Sequence, residues 1–64
     1  MPRYGYPVDR LELRSSPVGT PYNEWWDESI YTLKDGTRYV LRVYPATGRS
    51  LEYEIDSDGT RHLL

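Results

Sequence analysis

Sixty-four residues leave room for one domain with one thin core. The absence of cysteine removes disulfides, and with His62 as the lone histidine it also removes any zinc site built from Cys and His at the usual spacings. A net charge of -2 and a pI near 5.2 weigh against a nucleic-acid binder that relies on a basic stripe, and no apolar run reaches the roughly 18 residues of a membrane span.

The bulk of the core must be aromatic, because seven Tyr and two Trp stand beside no Phe. Each of these rings carries a polar tip that wants water or a partner, which places many of them at a boundary. Residues 1–64 are read as a single small β domain.

Residues 1–7 hold Pro2, Tyr4, Gly5, Tyr6 and Pro7. They are expected to form a flexible arm or, with Tyr22, Pro17 and Pro21, an aromatic and proline-rich surface that meets a partner chain. Met-Pro-Arg-Tyr lacks the apolar stretch of a secretion signal, so a cytoplasmic protein is expected.

Arg10-Leu11-Glu12-Leu13-Arg14 alternates and predicts a strand with Leu11 and Leu13 on one side. Pro17, Gly19 and Pro21 then forbid a long helix. Thr20 to Glu24 suits one helical turn, with Thr20 at the N-cap and Pro21 at the first position.

Trp25-Trp26, flanked by Glu24, Asp27 and Glu28, is the most unusual local feature. Adjacent residues in an extended segment point to opposite sides, so one indole is expected to plug the core while its neighbour lies on the surface. Tyr22, Trp25, Trp26, Asp27 and Glu28 are therefore the candidate partner-binding residues, since interface anchors favour Trp, Tyr and Arg. The competing reading is that both rings close the open end of a small core.

From Ser29 onward the chain reads as hairpins, with Tyr31-Thr-Leu-Lys-Asp-Gly-Thr-Arg38 echoed by Tyr53-Glu-Ile-Asp-Ser-Asp-Gly-Thr-Arg61. A bulged loop Lys34-Asp35-Gly36 pairs Leu33 with Thr37 and Tyr31 with Tyr39. The turn Pro45-Ala46-Thr47-Gly48 is expected to pair Val43 with Leu51, Leu41 with Tyr53 and Tyr39 with Ile55. Ser57-Asp58-Gly59 pairs Tyr53 with Leu63 and Glu54 with His62.

This register gives a core face of Tyr39, Leu41, Val43, Leu51, Tyr53 and Ile55. Leu11, Leu13 and Trp25 or Trp26 are expected to cover it. An outer face of salt bridges results, with Arg42 opposite Glu52 and Arg38 opposite Asp56. His62 beside Glu54 lacks the nucleophile and pocket of a catalytic site. Asp56-Ser57-Asp58-Gly59 lacks the closing Glu of a calcium loop.

The expected fold is all-β: a small antiparallel meander of four or five strands, either partly rolled or closed into an SH3-like barrel, with an irregular N-terminal segment covering the core face. The expected function is a non-enzymatic protein-binding module, such as a bacterial or phage inhibitor or adaptor, acting through an exposed aromatic and acidic patch. No cofactor or metal is expected. The protein is expected to be either a monomer or an edge-paired homodimer.

Two alternatives come from other classes. A designed β scaffold accords with the consistent turn chemistry but not with the proline-broken first half or the shortage of Lys. A small nucleic-acid-binding barrel would use Tyr and Arg on one face.

Overall fold

The computed structural model describes residues 7–64. It is all-β, with five strands β1 (Val8–Ser15), β2 (Asp27–Leu33), β3 (Arg38–Tyr44), β4 (Arg49–Ile55) and β5 (Arg61–Leu63) in one antiparallel sheet. Each strand pairs only with its neighbours in the chain, so the sheet is an open meander rather than a closed barrel, and β1 and β5 are its edges. The arm expected over residues 1–7, together with Tyr4 and Tyr6, lies outside the described residues except for Pro7, whose carbonyl accepts the Lys34 amide at 3.1 Å.

The first and third hairpins close alike. Leu33 donates to the Thr37 carbonyl at 2.8 Å and Asp56 to that of Thr60 at 3.0 Å, which leaves three residues in each loop. Gly36 and Gly59 end these loops at φ +90° and +85°, a region that glycine enters without the steric penalty of a Cβ. Tyr31 therefore faces Tyr39, and Tyr53 faces Leu63, in the registers read from the sequence.

The second hairpin differs. Gly48, at φ +72°, donates to the Tyr44 carbonyl at 2.8 Å, so four residues span the corner and Tyr44 pairs with Arg49. Val40 then lies opposite Tyr53, Arg42 opposite Leu51 and Arg38 opposite Ile55, one residue away from the expected register. Because side chains alternate with a period of two, this single step carries all of β4 to the other side of the sheet.

Tyr39 and Leu41 thus share one face with Glu52 and Glu54, while Val40 shares the other with Leu51, Tyr53 and Ile55. The expected single core face, and the pairs Arg42–Glu52 and Arg38–Asp56, do not form. In their place each side has its own small core. Ile30 and Val40 are buried on one side, and Leu33 and Tyr39 on the other, where Tyr39 stacks on Tyr31 at 4.9 Å.

Residues 7–28 supply a strand rather than a lid. β1 joins the sheet edge with a bulge between Val8 and Arg10, and Leu11 and Leu13 remain exposed there. Its link to β2 is pinned where Ser16 donates to the Trp26 carbonyl at 2.9 Å and accepts the Trp26 amide on its hydroxyl at 3.3 Å.

Within that link Tyr22–Glu24 forms the expected single turn, as a 3-10 helix. Pro21 is its cap residue. The Thr20 hydroxyl donates backward to the Pro17 carbonyl at 2.7 Å instead of capping the turn.

The register has a direct test. Val40→Ala removes methyl groups from a fully buried site and is expected to destabilise the fold by about 2 kcal/mol. Val43→Ala, at a residue 37% exposed, is expected to stay within about 0.5 kcal/mol of the parent. Urea unfolding of the two variants decides between this register and the alternative, in which the larger loss falls on Val43. In the same assay Gly48→Ala meets no neighbouring atom, so its expected loss of about 1 kcal/mol reports backbone strain alone.

Candidate functional site

The alternation sorts the charges. Arg14 lies opposite Glu28, which lies opposite Arg42. Arg10 and Arg38 both lie opposite Thr32, Arg61 lies opposite Ile55, and Arg49 lies opposite Tyr44. Directly opposed residues in antiparallel strands point the same way. Every arginine among the described residues, namely Arg10, Arg14, Arg38, Arg42, Arg49 and Arg61, is therefore on one side of the sheet. Asp27, Glu52, Glu54 and His62 are on the other.

At the centre of the arginine side sits Glu28, only 3% exposed. Arg42 donates through Nε to its Oε2 at 2.6 Å, while Arg61 donates through Nη1 to Oε2 at 2.8 Å and through Nη2 to Oε1 at 3.2 Å. One carboxylate thus ties β2 to β3 and to the short last strand. Arg42 also donates to the Tyr44 hydroxyl at 3.1 Å and lies 4.1 Å over the Trp26 ring, and Tyr53 has both Arg42 and Arg61 at 5.8 Å.

Burial alone pushes the Glu28 carboxyl up, but the hydrogen bonds and charges of Arg61 and Arg42 outweigh it and hold the group below its usual value. Burial likewise opposes the charge of Arg42, and the Tyr44 and Glu28 contacts reverse that effect and raise it.

Beside this network a cleft of about 430 Å³ opens between the β1–β2 link and the second hairpin, lined by Trp26, Tyr44 and Leu51 together with Glu24 and Arg49. Tyr22 stands nearby in sequence on the 3-10 turn and is 71% exposed.

The five candidate residues are not gathered into one acidic patch. Tyr22 is exposed, and Trp26 is half-buried over Arg42. Trp25 is also half-buried, and its indole N–H donates to Asp27 Oδ1 at 3.2 Å, an oxygen that also accepts the Ser15 hydroxyl at 2.9 Å. Glu28 is inside the fold and unavailable to a partner, because its two oxygens are saturated by arginines. The two indoles do not divide into one in the core and one on the surface: both are half-buried.

Sequence reasoning missed Arg42 and Arg61 as organising residues. Their one signal was the nearness of arginines to Tyr and Trp in a chain with little other bulk.

On the acidic side, Asp56 binds its own turn. Oδ1 accepts the amides of Asp58 at 2.9 Å and Thr60 at 3.0 Å, and Oδ2 meets His62 Nε2 at 2.7 Å. The His62 contact first, then these amides, hold the Asp56 carboxyl below its usual value. His62 lies opposite Glu54 as read from the sequence, but its side chain turns to Asp56 instead.

No protein-family model matches the chain, and no curated protein or solved structure matches it either.

Glu28→Gln leaves two guanidiniums around a neutral amide and is expected to destabilise the fold by about 3 kcal/mol at neutral pH. The lowered carboxyl value of Glu28 fixes the sign of the pH dependence. Its contribution is fully present above the unfolded value of roughly pH 4.3 and is lost as pH falls through the lower folded value. Urea unfolding from pH 7 to pH 2 should show the parent losing stability on acidification and Glu28→Gln losing less. Equal slopes would remove Glu28 as the acid-sensitive group.

Proposed function

We propose that the chain is a small non-enzymatic module that binds a protein partner, and that its arginine face receives an acidic segment of that partner. The sorting of charge across the sheet carries this reading. Arg10, Arg38 and Arg49 stand on that face without an ion pair among the described residues; Arg49 lines the cleft under Trp26 and Tyr44, and Arg10 and Arg38 lie at the other end of the sheet, opposite Thr32. Guanidinium groups pair with carboxylates through two parallel hydrogen bonds, and Arg, Trp and Tyr are the residues that anchor protein interfaces.

The non-enzymatic part of the reading is supported by how the titratable groups are used. Glu28 is held by two arginines, and Asp56 is held by two amides and His62.

A protein partner is favoured over a nucleic acid because the rings that would stack on bases already face guanidinium groups: Arg42 covers Trp26, and Arg42 and Arg61 flank Tyr53.

Affinity capture from the source cell tests the proposal, using the parent and a variant combining Arg10→Gln, Arg38→Gln and Arg49→Gln whose melting temperature is first matched to the parent. A protein retained by the parent, lost at least about tenfold by the variant and displaced by polyglutamate is the expected result. Equal retention by both chains, or no retained protein, overturns it. A gel shift of a single-stranded oligonucleotide with steep salt dependence would assign the same face to nucleic acid instead.

A further inference from the structure

Among the described residues the outer edge of β1 pairs with no strand, and it has the features of a self-pairing strand. We propose that two copies of the chain join β1 to β1, antiparallel, about a two-fold axis through Leu13, so that both sheets become one. This surface is separate from the arginine-face reading and does not rest on it.

The hydrogen-bonding direction comes first. Ser16 donates to Trp26 across the β1–β2 ladder, so Ser16 belongs to the pairs bonded to β2, and alternation places Arg14, Glu12 and Arg10 in the same set. Leu11, Leu13 and Ser15 therefore direct their N–H and C=O groups away from the sheet. No proline interrupts Val8–Ser15, and Leu13 and Leu11 are 76% and 51% exposed. An eight-residue edge with two exposed leucines is what proteins ordinarily shorten or cover, and past the bulge at Val8–Arg10 this one is regular. The opposite edge, β5, has three residues and offers far less.

Charge then selects the register. Centring the axis on Glu12 sets Glu12 against itself and Arg10 against Arg14, so like charges face each other at every one of those positions. Centring it on Leu11 brings Leu13 opposite Asp9, where the bulge breaks the ladder.

Centring it on Leu13 bonds Leu13 to its own copy and Leu11 to Ser15. It also sets Glu12 of each chain opposite Arg14 of the other, an opposite-charge pair on both sides of the axis. In this arrangement the outward amides find acceptors, the exposed leucines meet, and the two arginine faces lie on the same side. Strand pairing alone buries a small area, so the dimer is reversible and depends on concentration.

Sedimentation of the parent over a concentration series should show a monomer–dimer equilibrium. Leu13→Pro removes only an outward N–H, which an edge strand tolerates, and is expected to weaken the dimer at least about tenfold, or ~1.4 kcal/mol. Because the chain has no cysteine, Leu13→Cys gives a second readout that does not depend on that variant folding. Residues bonded directly across an antiparallel pair lie within disulfide reach, so air oxidation should link two chains through residue 13. Val18→Cys, on a fully exposed loop residue, should link far more slowly.

A parent that stays monomeric throughout overturns the proposal. So does a dimer that persists in folded Leu13→Pro, or equal cross-linking of the two cysteine variants. A dimer that cross-links through Leu13→Cys, and dissociates in any folded Leu13→Pro, supports it.

Discussion

The four residues between Tyr44 and Arg49 determine which side of the sheet the last third of the chain faces. Gly48 reaches back to the Tyr44 carbonyl, and with that bond Val40 meets Tyr53 and Arg42 meets Leu51. One more residue in the corner would give the opposite parity. Tyr53 would leave Ile30 and Val40, Arg61 would leave Glu28, and Glu52 would arrive beside Arg42. The buried carboxylate would then have one guanidinium instead of two, and the charges would be mixed rather than sorted. The asymmetry of the two faces is thus a consequence of turn length, and turn length is fixed by where a glycine can take positive φ.

The Glu28 network depends on this parity. A small domain without disulfides gains little from a thin apolar core, and the last strand has only three residues, all exposed. Arg61 ties that strand to β2, 33 residues away in sequence, through two hydrogen bonds to one carboxylate. A buried ion pair is poor evidence of net stability, because desolvation offsets much of the attraction. What it contributes here is register. A one-residue slip of β4 and β5 carries Arg61 away and leaves Oε1 of the buried carboxylate without its donor.

The legible part of the sequence was the backbone. The five-strand meander, the left-handed glycines at Gly36, Gly48 and Gly59, and the registers of the first and third hairpins all follow from local signals. The second register does not, because Pro45-Ala46-Thr47-Gly48 is compatible with either parity. The choice then fell to hydrophobic pattern. In Arg38 to Tyr44 the set Tyr39, Leu41 and Val43 is more apolar than Arg38, Val40 and Arg42, and treating arginine as a surface residue favours it. Arginine is amphipathic, however, and its stem and planar head pack on Trp26 and Tyr53 while its nitrogens satisfy Glu28. The pairing of Arg42 with Glu52 offered an apparent check on the wrong register, since opposite charges facing each other are found in many alignments of a chain this rich in both.

The same misreading affected the site. Glu24, Asp27 and Glu28 beside two tryptophans resemble an acidic, aromatic patch only while the chain is read linearly. In the sheet, Asp27 and Glu28 face opposite sides, one bound to Trp25 and Ser15 and the other enclosed by arginines. The arginines divide by position. Arg42 and Arg61, near the middle, share the single negative charge of Glu28 and pack on rings, whereas Arg10, Arg38 and Arg49, at the periphery, are exposed and have no ion pair among the described residues. The one buried carboxylate offsets one of the two central positive charges and so lowers the repulsion among the guanidiniums at the middle of this face. Holding Arg42 and Arg61 together and tying β5 to β2 are therefore two effects of the same placement of Glu28.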